Sequence, residues 1–142
     1  MLSLRLVLDT NIVVSAALKP EGLQRAVFLL AISKPARLYV SAAILEEYRT
    51  VLARPELRIR KGLQRQLLEF LENRAHVVSP SRMILATSDP GDDKFLECAD
   101  EARADYLITG NTRHFPKFWR ATKIINSREF ITLAAPHLTP HT

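Results

Sequence analysis

The chain has 142 residues, of which 47% are hydrophobic and 25% charged, and this composition is typical of one globular domain. The longest apolar run, residues 26–32, is far too short to span a membrane, and the first residues lack the pattern of a signal peptide. The single Cys98 excludes an internal disulfide and fits a reducing compartment, so we expect a cytoplasmic protein with no membrane partner.

Strands and helices alternate along the chain. In chain order we predict a strand at residues 4–8, helices at 11–18 and 23–32, a strand at 37–40, helices at 42–54 and 62–74, a strand at 76–79, a helix at 92–103, strands at 106–108 and 123–125, and a helix from residue 127. The first helix is expected to be capped by Asp9 or Thr10, the third by Ser41 and the last by Ser127, and residues 89–91 are expected to form a turn. Residues 136–142 are expected to form a frayed tail. This alternation predicts a single α/β domain, residues 1–142, with a mainly parallel sheet.

Charge is unevenly distributed over the chain. Twenty Lys and Arg residues against fifteen Asp and Glu give a net charge of +5, which favours a polyanionic partner such as nucleic acid. Residues 49–65 and 106–128 are basic, whereas residues 89–105 are rich in Asp and Glu. An acidic segment between two basic ones is typical of a cation site within a phosphate-binding surface, although random placement also produces such a pattern.

Several polar side chains follow predicted strands. Asp9 comes directly after the first strand, where a carboxylate can bind a metal or cap the next helix. Glu47 lies at the edge of the apolar face of the third helix, whereas Glu46 points to water. Asn111 follows the fourth strand, in a Thr-Gly-Asn segment that is also typical of a turn.

Asp92 and Asp93 open the predicted helix at residues 92–103. The spacing places Asp92 on the inward face with Phe95, whereas Asp93 points sideways. The alternative for both acids is a favourable interaction with the helix dipole. Because the carboxyl ends of parallel strands meet at one edge of the sheet, we expect Asp9, Glu47, Asp92 and Asn111 to converge there. Oxygen ligands suit Mg²⁺ or Mn²⁺, and the absence of Cys and His spacing argues against zinc.

Four blocks of the sequence resemble the PIN domain, and more closely the bacterial and archaeal PIN proteins related to VapC-type toxins of toxin–antitoxin pairs. The blocks are Asp9-Thr10-Asn11, residues 41–47, residues 89–96 and Thr109-Gly110-Asn111, and the similarity extends over residues 4–133. No single block is specific, but their order and spacing together are. The resemblance implies a three-layer α/β/α sandwich and a Mg²⁺- or Mn²⁺-dependent endoribonuclease that cleaves single-stranded RNA.

The resemblance also implies roles for individual residues. The family's acids correspond to Asp9, Glu47 and Asp92 as metal ligands, with Asp93 as the alternative third acid. Asn111 stands where the family often has a fourth acid, which puts a second metal site in doubt. Asn11, Ser15 and Thr109 correspond to groups that orient the acids. The resemblance further implies a homodimer and a protein antitoxin as partner.

The second basic segment contains candidate RNA contacts. Basic side chains there are expected to bind phosphates with salt-sensitive affinity, and they are Arg113, His114, Lys117 and Arg120. The interleaved aromatic residues either stack on a base or pack under a long loop, and we favour packing; they are Phe115, Phe118 and Trp119.

Other interpretations compete with a nuclease. A PIN fold that binds RNA or protein without cutting is favoured by Asn111 and disfavoured by the three acids. A phosphoacceptor receiver domain would need an acidic pair near the first helix layer and a Lys-Pro pair after the last strand, and neither is found. A dehalogenase-type phosphatase would need a second Asp in the segment Asp9-Thr10-Asn11.

Overall fold

The computed structural model describes residues 3–87 and 89–138. Its elements follow the predicted order: β1 (Arg5–Leu8), α1 (Thr10–Leu18), α2 (Leu23–Ala31), β2 (Arg37–Val40), α3 (Ala42–Leu52), α4 (Lys61–Arg74), β3 (His76–Val77), α5 (Pro90–Ala102), β4 (Tyr106–Ile108), β5 (Phe118–Trp119), β6 (Thr122–Ile125) and α6 (Ser127–Leu138). None of the helices in these ranges is long and apolar enough to cross a membrane.

The sheet has the strand order β3-β2-β1-β4-β6-β5. All neighbouring strands are parallel except β5 and β6, which are antiparallel. Leu8 at the end of β1 pairs with Ile108 at the end of β4, and the Asp9 amide donates to the Ile108 carbonyl at 2.9 Å. The residues that follow these two central strands are therefore neighbours.

Helices cover both faces of the sheet. On one face, α5 packs against β1, β2 and β4. On the other, α1 packs against α2, α3 and α4, and α2 contacts α6, as right-handed parallel crossovers require. The expected three-layer α/β/α sandwich with a mainly parallel sheet is confirmed.

The core lies between the sheet and these two helical layers. Leu6, Val7 and Leu8 of β1 are fully buried, which explains why this strand is apolar on both faces. On α3, the buried residues Ile44, Tyr48 and Leu52 recur every four positions and face the sheet. Burial of each such side chain contributes about 1.5–3 kcal/mol.

The structure differs from the predicted elements in several local details. The residues predicted as a turn at 89–91 are the cap and first turn of α5, because Asp89 Oδ1 accepts from the Gly91 amide at 2.8 Å and Pro is favoured at a first helical position. The two-residue strand β5 was not predicted, since it is too short to show periodicity. The tail predicted to fray at residue 136 is helical to Leu138, and residues 139–142 lie outside the described residues.

The caps of α1 and α3 are as predicted, but that of α6 is not. Asp9 accepts from the Thr10 amide and Ser41 from the Ile44 amide. At α6, Asn126 Oδ1 accepts from the Glu129 amide at 2.8 Å, and Glu129 Oε1 accepts from the Asn126 amide at 3.1 Å. This reciprocal capping box makes Asn126 the cap and places the predicted cap, Ser127, inside the helix.

We expect Asn126→Ala to lower the free energy of unfolding by about 1 kcal/mol, because the Glu129 amide at the helix end loses its acceptor. Ser127→Ala is the matched control, since the buried Ser127 hydroxyl has no hydrogen-bond partner among the described residues. Urea unfolding at equilibrium measures both variants. Equal destabilisation by the two substitutions would contradict the assignment of Asn126 as the cap.

Candidate active site

An open cleft of about 890 Å³ lies at the carboxyl edge of the sheet. The start of α1, one side of α3 and the first turn of α5 form its walls, and the segment after β4 completes it. Its charged and amide side chains are Asp9, Asn11, Glu46, Glu47, Arg54, Asp89, Asp92, Lys94, Asn111 and His114. We call this cleft, with Asp9, Glu47 and Asp92 on its walls, the acidic cleft.

Asp9 is fixed at the base of the acidic cleft. Its side chain is buried, Oδ1 accepts from the Thr10 amide at 2.7 Å, and Oδ2 accepts from the Thr109 hydroxyl at 2.6 Å. The buried Tyr48 hydroxyl donates to the Leu8 carbonyl at 2.5 Å and so also fixes the end of β1. The two positions considered for Asp9, a helix cap and a carboxylate at the site, are compatible, because Asp9 caps α1 and also lines the cleft.

Glu47 reaches the acidic cleft from α3. Its Oε2 accepts from the Thr10 hydroxyl, and its Oε1 forms an ion pair with the Lys94 ammonium of α5. Glu46 is exposed to water and pairs with Arg49 at 2.8 Å, as the helical spacing predicts. The roles of Thr10 and Lys94 beside Glu47 were not predicted, because these contacts join helices distant in sequence.

Asp92 and Asp93 have different surroundings. Asp92 lines the acidic cleft, and its Oδ2 lies 3.6 Å from His114 Nδ1. Asp93 is buried outside the cleft lining, where its Oδ1 accepts from the Ala86 amide at 3.1 Å and from the Thr87 amide and hydroxyl at 2.9 and 2.7 Å. The structure therefore brings Asp92, and not Asp93, to Asp9 and Glu47.

Two acids of the cleft, Asp9 and Asp92, have raised pKa values. Burial raises the pKa of Asp9, the nearby negative charges of Asp92 and Glu47 add to this effect, and the Thr109 hydrogen bond opposes it. Burial also raises the pKa of Asp92, and the charges of Asp89 and Glu47 raise it further. A cation between these carboxylates would relieve both the burial cost and the repulsion.

The donor chemistry fits Mg²⁺ or Mn²⁺. Asp9, Glu47 and Asp92 offer carboxylate oxygens, and Asn11 and Asn111 offer amide oxygens at the rim. Within residues 3–87 and 89–138, no three His, Cys, Asp or Glu side chains lie so that they could hold a metal ion without moving. Glu47 instead points to Lys94, so metal binding requires a shift of this side chain or of its partner.

Of the other residues that the resemblance implies, Asn11 and Asn111 line the cleft and Ser15 does not. Asn11 Oδ1 accepts from the Gly110 amide at 3.2 Å, and the Asn111 amide donates to the Thr109 hydroxyl at 3.0 Å. These bonds connect the start of α1 to the segment after β4. Ser15 lies one turn further along α1 and does not line the cleft.

The candidate RNA contacts do not form one surface. His114 lines the cleft, and Arg113 and Lys117 are exposed. Arg120 lies at the opposite edge of the sheet, beside the start of β6, where it pairs with Asp100 at 3.2 Å. Arg54, from the first basic segment, lines the acidic cleft instead.

The aromatic residues of the second basic segment mostly pack. Phe115 is buried and Trp119 is partly buried against the core, which agrees with the packing interpretation. Phe118 is 58% exposed, and Lys123 Nζ lies 5.9 Å from the centre of its ring. Because β5 runs along the start of β6, Phe118 and Trp119 lie away from the acidic cleft.

The family model of the PIN domain matches residues 5–113. The chain belongs to the PIN domain family. This match confirms the family resemblance inferred from the sequence blocks. PIN domains are generally nucleases and typically use divalent metals.

Known proteins that are similar to this PIN domain include an archaeal relative and a solved bacterial structure. The chain is 27% identical over 113 residues to an uncharacterized protein of Methanocaldococcus jannaschii, and the alignment covers 78% of this chain and 72% of the relative. A chain in the crystal structure of VapBC2 from Rickettsia felis bound to a DNA fragment from their promoter superimposes with a TM-score of 0.57. That match covers 86% of this chain and 98% of the other, and its 16% identity shows a shared fold.

Proposed function

We propose that this PIN domain is a Mg²⁺- or Mn²⁺-dependent endoribonuclease that cleaves single-stranded RNA. The observation that carries the proposal is the convergence of Asp9, Glu47 and Asp92, from three different elements, on one cleft at the carboxyl edge of the sheet. Burial and the charge of Asp92 raise the pKa of Asp9, and burial and the charges of Asp89 and Glu47 raise the pKa of Asp92, which supports a cation among these carboxylates.

In the proposed reaction, Asp9, Glu47 and Asp92 hold the divalent ion. When bound, the ion polarises the attacking water and neutralises negative charge on the cleaved phosphate. Thr109 and Thr10 orient the carboxylates of Asp9 and Glu47 through their hydroxyl hydrogen bonds. We expect the products to carry 5′-phosphate and 3′-hydroxyl ends.

Positive side chains around the cleft serve the substrate in this proposal. Arg54 lines the cleft, and Arg113 and Lys117 are exposed on the segment that follows β4. The His114 imidazole, which also lines the cleft, offers a further hydrogen-bonding group. Such side chains bind the phosphates on either side of the cleavage site, and the affinity for RNA falls as salt rises. Arg120 takes no part, because it lies at the opposite edge and is paired with Asp100.

We further propose that this PIN domain acts in the cytoplasm as a homodimeric toxin with a protein antitoxin. The shared fold with a chain of a VapBC2 complex supports an antitoxin partner. The net charge of +5 suits an RNA target.

The alternative is a PIN module that binds RNA or protein without cleaving. Asn111 favours it, since an amide at the rim of the cleft adds no negative charge for a second metal ion. The buried, doubly hydrogen-bonded Asp9 favours the nuclease, because burying a carboxylate is costly and demands a compensating role.

The test is cleavage of labelled single-stranded RNA and matched DNA with Mg²⁺, with Mn²⁺ or with EDTA. We expect RNA to be cut only when the metal is present, and the EDTA-treated protein to recover activity on adding the metal. A folded protein, refolded from denaturant to remove bound inhibitor, that binds Mn²⁺ but leaves several cellular RNAs intact would contradict the proposal. In that case the binding module would be the better interpretation.

A further inference from the structure

Lys94 is a lysine that lines the acidic cleft. It lies two residues after Asp92 on α5, and its ammonium forms an ion pair with Glu47 of α3. The Lys94 and Glu47 side chains are only 24% and 27% exposed. The resemblance assigns no role to Lys94, and the sequence suggests only a solvated lysine on a helix.

The Lys94–Glu47 pair differs from the surface pairs of the same molecule. Arg49 pairs with Glu46 and Glu72 through side chains that are about half exposed, and such pairs contribute little to stability. Lys94 instead sits where an anionic substrate must approach the acids, and both Glu47 oxygens are engaged, one by Lys94 and one by Thr10.

Phosphate binding in this cleft faces an electrostatic obstacle. The acids that line the cleft repel a phosphate, and they are Asp9, Glu46, Glu47, Asp89 and Asp92. Among the described residues of the cleft wall, the Lys and Arg side chains are Arg54 and Lys94. Lys94 forms an ion pair with Glu47, which is one of the proposed metal ligands. Asn111 removes one further negative charge from the position where the family often has a fourth acid.

We propose that Lys94 is a phosphate-binding residue of the active site, whose ammonium neutralises Glu47 and contacts a non-bridging oxygen of the cleaved phosphate beside the divalent ion of the acidic cleft. The inference rests on the proposed nuclease function. In this arrangement the protein itself supplies the positive charge that a second metal ion would otherwise provide. This role requires a positive charge that lies beside Glu47, and the compact ammonium of Lys94 supplies it.

Three variants separate charge from packing. Lys94→Ala removes the side chain, Lys94→Gln keeps most of its length without the charge, and Lys94→Arg keeps the charge. Lys19→Ala is the matched control, because Lys19 is an exposed lysine at the end of α1 and outside the cleft. Thermal melting checks that each variant folds.

The first readout is RNA cleavage. We expect Lys94→Ala and Lys94→Gln to lower kcat/KM by about 100-fold, Lys94→Arg to retain at least about a tenth of the activity, and Lys19→Ala to match the wild type. The second readout is Mn²⁺ affinity, measured by electron paramagnetic resonance without RNA. Here we expect Lys94→Ala to bind Mn²⁺ as tightly as the wild type or about threefold to tenfold more tightly, because a positive charge beside the site is removed.

The combination of readouts is decisive. Unchanged cleavage in both Lys94→Ala and Lys94→Gln would overturn the proposal, and so would a joint loss of cleavage and Mn²⁺ binding, since Lys94 would then act only by shaping the metal site. If the wild type cuts no RNA, the nuclease proposal fails separately. The Lys94 proposal is then tested by fluorescence anisotropy with a single-stranded RNA in Ca²⁺, where Lys94→Gln should weaken binding about tenfold; equal binding would overturn it.

Discussion

Asp9→Asn is expected to lower RNA cleavage by at least about a thousandfold while leaving the fold intact. The substitution replaces one carboxylate oxygen by an NH2 group and so removes the negative charge that attracts a divalent cation. Asn is as good a helix cap as Asp, so the bond from the Thr10 amide is retained. Loss of activity therefore reports the missing charge rather than a missing cap.

The stability of this variant gives a second, independent readout. Because burial raises the pKa of Asp9 in the folded state, its contribution to stability is present below its ordinary value of 3.8 and is lost as pH rises through the raised pKa. At neutral pH and without metal, Asp9→Asn should thus be at least as stable as the wild type. Addition of Mn²⁺ should raise the melting temperature of the wild type and not that of the variant.

Cleavage assays and thermal melting with and without Mn²⁺ measure both effects. Glu69→Gln is the control, because Glu69 is an exposed acid on α4 away from the cleft. Retained cleavage in Asp9→Asn would remove Asp9 from the metal site. An equal Mn²⁺-induced shift in wild type and variant would show that the ion binds elsewhere.

Substitutions of the neighbouring acids Asp92 and Asp93 are expected to have different effects, one on RNA cleavage and the other on stability. Asp92→Asn should abolish most cleavage with little effect on stability, because Asp92 faces the cleft and its charge is opposed by Asp89 and Glu47. Asp93→Asn should lower the free energy of unfolding by about 1.5–3 kcal/mol, because three hydrogen bonds from Thr87 and Ala86 lose a charged acceptor.

The pH dependence of stability provides a further distinction. Burial alone would raise the pKa of Asp93, but the hydrogen bonds from Thr87 and Ala86 outweigh it and hold the pKa below its ordinary value of 3.8. The stability that Asp93 contributes is thus present above pH 3.8 and lost as pH falls through the lowered pKa. The free energy of unfolding of Asp93→Asn should therefore fall less than that of the wild type as pH is lowered through this range.

Urea unfolding between about pH 3 and about pH 7 and cleavage at neutral pH test the pair of variants together. A stable Asp93→Asn protein that has lost all cleavage would reverse the assignment and make Asp93 the third acid. Asp105→Asn is a suitable comparison for stability, since Asp105 accepts a hydrogen bond from the Arg5 amide in an exposed setting at 2.8 Å.

Much of the candidate site follows from local sequence. The apolar run before Asp9 predicts a buried strand, and the end of such a strand in a parallel sheet is where a ligand-binding side chain belongs. The positions of Glu47 at the edge of its helix face and of Asp92 at the start of α5 follow from helical periodicity. Strand ends and helix faces are local properties, so these three acids were placed from sequence.

Contacts between distant segments could not be derived in this way. The Lys94–Glu47 pair spans α3 and α5, the Thr10–Glu47 bond spans α1 and α3, and the bonds of Asp93 depend on how the loop before α5 folds back on it. The position of Arg120 at the opposite edge depends on the antiparallel turn of β5 onto β6. Periodicity gives the face on which a side chain lies, and it does not give the partner that another segment brings to that face.

The sequence by itself determined the fold class, the family and the three acids at the carboxyl edge of the sheet, because apolar periodicity and motif order are encoded residue by residue. The tertiary structure decided that Thr87 and Ala86 hold Asp93 outside the cleft, that Asn126 rather than Ser127 caps α6, and that Lys94 neutralises Glu47. Each of these outcomes depends on which polar group lies within hydrogen-bond distance of the side chain. The packing of the helices and loops on the sheet sets that distance.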